Sequence, residues 1–144
     1  MSDELRFAQT SRAHPPKIRD RSFAYALRAI QLYRYLPKQG DGVGWVLGKQ
    51  YLRSACSVGA NVEEAQAGES RSDFAHKLAI ALKEARESLY WLRLLNESHT
   101  VPSGKLEPLI QATEEIIRIL SSIILTTKQR KSGEGAKRLG PQNS

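Results

Sequence analysis

A single cysteine, Cys56, stands in the 144 residues, so the chain cannot close a disulfide within itself. A reducing cytoplasm is the compartment this implies. No apolar run approaches the roughly 18 residues that a membrane span needs, so no membrane partner is expected. The opening Met1 to Arg6 lacks the basic-then-apolar order of a signal peptide. Histidine is equally scarce: His14, His76 and His99 are the full set, and all fall outside the centres of the predicted helices. A di-metal helical site needs inward glutamates and two Glu-x-x-His pairs. The nearest approach is Asp73-Phe74-Ala75-His76, at a helix start, so no metal and no cofactor is expected. No strand pattern and no internal repeat is visible.

Charge is present but unevenly spread. Residues 1–21 carry five Lys or Arg against three Asp or Glu, residues 22–127 twelve against eleven, and residues 128–144 five against one, within a net +7. The body is therefore nearly neutral and the ends hold the excess. A basic terminus can hold phosphate backbones through long-range attraction, or it can simply stay solvated.

Four helices account for the rest. Residues 1–19, with His14-Pro15-Pro16, read as a flexible leader. Asp20 is placed to cap a first helix whose apolar face is Phe23, Ala26, Leu27, Ile30 and Tyr33. Pro37 and Gly40 close it. The glycine-rich connector Gln39 to Gly44 follows no strand and lacks the Gly-Lys-Ser/Thr ending of a phosphate loop, so it reads as a turn. A second helix spans about Val43 to Gln66, with Leu52, Ala55, Val58 or Gly59, Val62 and Ala65 inward. Its small residues at 54–60 allow another backbone to come close, and Gly59 implies a packing reason. Ser70-Arg71-Ser72-Asp73 fits a capping box and starts a third helix to about Asn96, with Phe74, Leu78, Ala81, Leu82, Ala85, Leu89, Leu92 and Leu95 in a near-heptad seam. A fourth helix starts near Ser103, or a few residues later because of Pro108, and reaches about Lys128. Its stripe is Leu109, Ile110, Thr113, Ile116, Ile117, Leu120, Ile123 and Ile124. Ser132 to Gly135 is expected to end regular structure. The domain plan is a leader over 1–19, a bundle over 20–130 and a flexible basic tail over 131–144. The fold class is an all-α, antiparallel up-down-up-down four-helix bundle.

Reactive constellations are thin. Cys56 lies among Ser, Ala and Val on a packing helix and reads as a buried thiol rather than a nucleophile. Glu63, Glu64, Glu84 and Glu87 have the chemistry of an acid–base cluster, yet bundle surfaces carry such charges routinely. Lys83–Glu87 and Glu114–Arg118 have the spacing of surface ion pairs. Arg53, Ser57 and Glu64 fall within about 40° on a helical wheel, with Asn61 one turn beyond Ser57. This line reads either as a brace between the second and third helices, Arg53 meeting a glutamate of the third, or as a subunit contact. Tyr25, Tyr35, Tyr51, Tyr90 and Trp91 partly leave the core stripes, which suits interfaces or base stacking. Arg28, Tyr35 and Lys38 make a basic-aromatic patch on the first helix.

The segment Arg53, Ser57, Ala60-Asn61-Val62 and Glu64, followed by Ser70 to Phe74, Leu78 to Ser88 and Tyr90-Trp91-Leu92, resembles a bacterial four-helix-bundle family. That family includes proteins encoded by intervening sequences of large-subunit ribosomal RNA genes and the accessory variability determinants of diversity-generating retroelements. The ending Ile116 to Ile124 is similar too, and the resemblance covers roughly residues 22–128. Glu64-Ala65 departs from the Glu-Gly ending usual in the family. The resemblance implies a homopentameric ring without catalytic activity. For the retroelement members it implies a basic surface for nucleic acid and a reverse transcriptase partner. The function expected is a non-enzymatic accessory scaffold that binds RNA or DNA, with Lys128, Arg130, Lys131, Lys137 and Arg138 as phosphate contacts and Arg28 and Lys38 as additional ones. The alternative is a structural protein-interaction module without nucleic-acid binding.

Overall fold

The computed structural model describes residues 17–138. Among them are four helices and no strand: α1 (Ile18–Tyr35), α2 (Val43–Gln66), α3 (Arg71–Glu97) and α4 (Glu107–Arg138). Consecutive helices pack on each other and α1 also packs on α4, so one apolar core runs between all four. The expected leader lies outside the described residues, apart from Lys17, Ile18 and Arg19.

Local chemistry sets the ends. α1 begins two residues before Asp20, so Asp20 sits in the first turn and favours the helix dipole there instead of capping it. Leu36 leaves the helix in an extended conformation, as a residue before proline must. Gly40 and Gly42 both take positive φ in the turn that follows, and the Asp41 carboxylate accepts the Val43 N–H at 3.0 Å. Ser70 Oγ accepts the Asp73 N–H at 3.1 Å, which starts α3. α4 starts at Glu107, with Pro108 in its first turn, where a missing N–H costs nothing.

Two further expectations are corrected. α4 does not stop at Ser132: it continues through Gly133 and Gly135 to Arg138. Each glycine costs about 1 kcal/mol in a helix interior, but extending a formed helix avoids the cost of nucleating one, and only proline forbids it. Ser132 Oγ also donates back to the Lys128 carbonyl. The second correction concerns α1. Its buried face is Ser22, Tyr25, Ala29 and Leu32, continued by Leu36, whereas Phe23 is 67% and Leu27 48% exposed. Both stripes have helical period. The one that packs pairs small residues with a tyrosine whose hydroxyl finds a partner. α2 comes close enough to α1 that a Cβ on Gly59 would lie 3.3 Å from the Ser22 carbonyl oxygen, which is the packing reason for that glycine.

The core is unusually hydroxylated. Thr113 Oγ1 donates to the Leu109 carbonyl at 2.7 Å, so the Tyr25 hydroxyl, 2.6 Å away, is the donor to Thr113. Tyr51 meets Tyr25 edge to face at 6.3 Å. Ser54 Oγ donates to the Tyr51 carbonyl at 3.0 Å, and Ser88 Oγ stands 2.8 Å from both Ser54 Oγ and the Glu84 carbonyl. These hydroxyls come from all four helices. Tyr25 and Tyr51 are therefore core residues, while Tyr35 and Tyr90 remain exposed. Burial raises both tyrosine pKa values, keeping the phenols neutral. The Tyr51 hydroxyl lies near that of Tyr25 but makes no hydrogen bond of ordinary geometry.

That asymmetry has a consequence for stability. Tyr25→Phe removes a made hydrogen bond and should cost about 1 kcal/mol. Tyr51→Phe removes a buried, unpartnered hydroxyl and should be neutral or stabilising. Urea denaturation of the two variants should therefore give midpoints on opposite sides of, or unequally displaced from, the parent value.

Candidate functional site

α2 and α3 pack closely because Ser54, Ala55, Val58 and Ser88 are small and fully buried. Charged side chains flank this seam. Arg53 on α2 reaches Glu87 at 2.5 Å and Glu84 at 3.4 Å on α3, with Gln50 at 3.5 Å beside it. Lower on the seam, Lys77 on α3 meets Glu64 on α2 at 2.7 Å. Ser57 and Asn61, between them, are half-buried, and Asn61 Nδ2 donates to the Ser57 carbonyl at 2.8 Å within α2. Sequence spacing grouped these four residues. The structure places Arg53 and Glu64 across the seam and keeps the Asn61 amide on its own helix.

The two carboxylates beside Arg53 are driven apart. Arg53 donates a hydrogen bond to Glu87 and holds its pKa below the usual range. Burial, then the neighbouring Glu87, push Glu84 above it. The Arg53 pKa is raised, chiefly by its hydrogen bond to Glu87. Because Glu87 is turned toward Arg53, the expected Lys83–Glu87 pair does not form, and Glu114–Arg118 is likewise not among the ion pairs of the described residues. On the far side, Arg19 holds Glu63 at 2.5 Å and Arg21 pairs with Glu115, tying α1 to α2 and α4.

The basic-aromatic patch on α1 is assembled differently from its sequence reading. Arg28 and Tyr35 line a cavity of about 330 Å³ with Gln31, Lys105 and Pro108. The cation over the Tyr35 ring is Lys105, at 4.0 Å, from the loop before α4. Lys38 instead stands 5.9 Å over Tyr33, because Pro37 has already turned the chain. Lys105 is remote in sequence and only the packing of α4 on α1 brings it here.

The candidate phosphate contacts share one element. Lys128 and Arg130 are exposed on α4, beyond Ile124, the last buried core residue, and Lys131, Lys137 and Arg138 follow on the same helix. Cys56 is half-buried, and burial pushes its thiol pKa up, away from a reactive thiolate. Among the described residues no three His, Cys, Asp or Glu side chains gather as metal ligands, and no helix is long and apolar enough to cross a membrane.

The model of a protein family described as 23S rRNA-intervening sequence protein matches residues 16–122. Among solved structures, the chain is similar to a crystal structure of a protein of unknown function from the S23 ribosomal protein family of Bacteroides thetaiotaomicron VPI-5482. The two are 40% identical over 75% of this chain and 98% of that one, with a TM-score of 0.68. No curated protein matches. The matched span ends inside α4, before the basic stretch that starts at Lys128.

The Arg53 brace carries a pH signature. Glu87 has a depressed pKa, so its contribution is present above the ordinary glutamate range and disappears as pH falls through its lowered value. Arg53→Met should cost about 1 kcal/mol at pH 7, a modest figure because both partners are partly exposed. The cost should shrink toward zero as pH falls through the lowered Glu87 value. Urea titrations of parent and variant at pH 7 and across the acid range measure the difference.

Proposed function

The chain belongs to the family of 23S rRNA-intervening sequence proteins, and from that membership we propose a cytoplasmic, non-enzymatic accessory scaffold that associates with itself and binds RNA or DNA. The observation that carries the nucleic-acid reading is the basic end of α4. Residues 128–138 hold Lys128, Arg130, Lys131, Lys137 and Arg138 against Glu134 alone, on a helix that outruns the core. Lys128 and Arg130 are exposed there, open to a phosphate backbone.

Self-association is supported by the apolar stripe that α1 turns outward. Phe23 and Leu27 are exposed and Ile30 half-buried in the single chain, on the face opposite the core. Burying such a stripe against another copy removes apolar area from water. The assembly we propose is a homopentameric ring of antiparallel up-down-up-down bundles. Short connections, the packing of α1 on α4, and the opposed pairings Ser22–Gly59 and Tyr33–Gly48 support the bundle order. Absence of catalysis is supported by the commitment of Glu84 and Glu87 to Arg53 and by the raised Cys56 pKa. A reverse transcriptase partner rests on the resemblance to retroelement proteins alone.

Mass photometry at micromolar concentration should give a multimer, and Phe23→Asp with Leu27→Asp should reduce it to smaller species of unchanged helicity. A strict monomer for the parent chain would defeat the ring. Gel shifts with short RNA and DNA across a salt series should show steeply salt-dependent binding. Removing residues 128–144 should lower the slope of log K against log salt by about 3. No binding even at low salt would leave the protein-interaction module.

A further inference from the structure

Helix α3 separates its charges by side. Glu84 and Glu87 turn toward α2, where Arg53 holds them, and Lys77 turns the same way to meet Glu64. The outer face is different in kind. His76, Lys83, Arg86, Tyr90, Arg93 and Glu97 recur at three-, four- and seven-residue steps, so they share one stripe, and all six are exposed. Glu97 is the only carboxylate on that stripe; it stands at the far end, 4.0 Å from Arg93. Lys83 and Arg86 make no ion pair or hydrogen bond among the described residues. The near-neutral body thus conceals a polar ribbon about 26 Å long from His76 to Arg93, with the cations Lys83, Arg86 and Arg93 over its last stretch of about 15 Å.

The ribbon begins in a notch. Arg71, Ser72 and His76 of α3 and Thr127 and Lys128 of α4 surround a cavity of about 310 Å³, with no carboxylate in its lining. Its groups are the cations and hydroxyl donors that phosphate oxygens take. Toward the other end, Tyr90 meets Trp91 in an edge-to-face pair at 5.1 Å and is still 57% exposed, so part of its ring is available as a stacking surface. A duplex would offer the cations its phosphates but no free base to Tyr90, and an acidic peptide would offer no planar base at all. A single strand satisfies both.

We propose that this face of α3, from the notch to Arg93, is the surface on which single-stranded RNA or DNA lies, with phosphates along the cations and a base on Tyr90. The inference rests on the nucleic-acid reading above and extends it to a surface that meets the end of α4 only at Lys128.

Fluorescence anisotropy of labelled oligo(dT) and oligo(U), with a duplex of equal length as competitor, tests it on the full chain. Lys83→Gln, Arg86→Gln and Arg93→Gln together should weaken single-strand binding about tenfold or more and lower the salt slope by about 2, at unchanged helicity and assembly. Tyr90→Ala should weaken it about five- to a hundredfold with the slope unchanged, and Tyr90→Phe should restore it. Duplex should compete poorly. A triple variant that binds like the parent, while removal of residues 129–144, which spares Lys128 of the notch, abolishes binding, would overturn this surface and leave the α4 reading standing. Duplex binding as tight as single-strand binding and indifferent to Tyr90 would overturn the single-strand assignment. A parent chain that binds nothing at low salt would remove the nucleic-acid reading itself.

Discussion

The close seam between α2 and α3 is the constraint from which most of this structure follows. Ser54 and Ser88 meet across it through buried hydroxyls 2.8 Å apart, which requires small side chains on both helices for several turns. Hydroxyls in so tight a place must be satisfied, and they are, through each other and through carbonyls one turn back. Apolar contacts alone would let two helices slide. A hydroxyl pair favours one register, since shifting either helix by a residue would lose the hydrogen bond between them and leave only the carbonyls of their own helices. Tyr25 and Thr113 do the same between α1 and α4.

The seam also decides where charge can act. With the backbones close, Arg53 is long enough to span to α3, and it draws Glu84 and Glu87 to that side. Carboxylates held there are unavailable to the lysines and arginines of their own helix. The i,i+4 partner that Lys83 would have in an isolated helix is thereby taken, and the outer surface keeps its positive charge. A structural brace on one side of α3 is what leaves the other side cationic. The pKa directions of the two glutamates fit the same picture: Glu87, bonded more closely to Arg53, is easier to ionise, and the less exposed Glu84 harder.

Much of this was legible in the residues. The stripes of α2, α3 and α4 name most of the core, though not Tyr51, the small run at 54–60 announces a close helix contact, and Ser70 marks the start of α3 through its side-chain oxygen. Other features were not. α1 has two apolar stripes of equal period, and periodicity cannot say which one meets the core; the hydroxyl of Tyr25 and the small Ser22 and Ala29 decide it. Two glycines near the end of α4 look like a stop, but they lower helix stability without forbidding the helix. Lys105 joins Tyr35 only because distant segments meet.

The sequence by itself determined the four helices, the Ser70 cap and most of the inward faces of α2, α3 and α4, because these depend on spacing and on atoms a few residues apart. Tertiary structure decided which cation meets which carboxylate, and therefore which faces of the molecule remain charged or apolar. Those pairings depend on distances between separate helices, and no spacing along one chain encodes them.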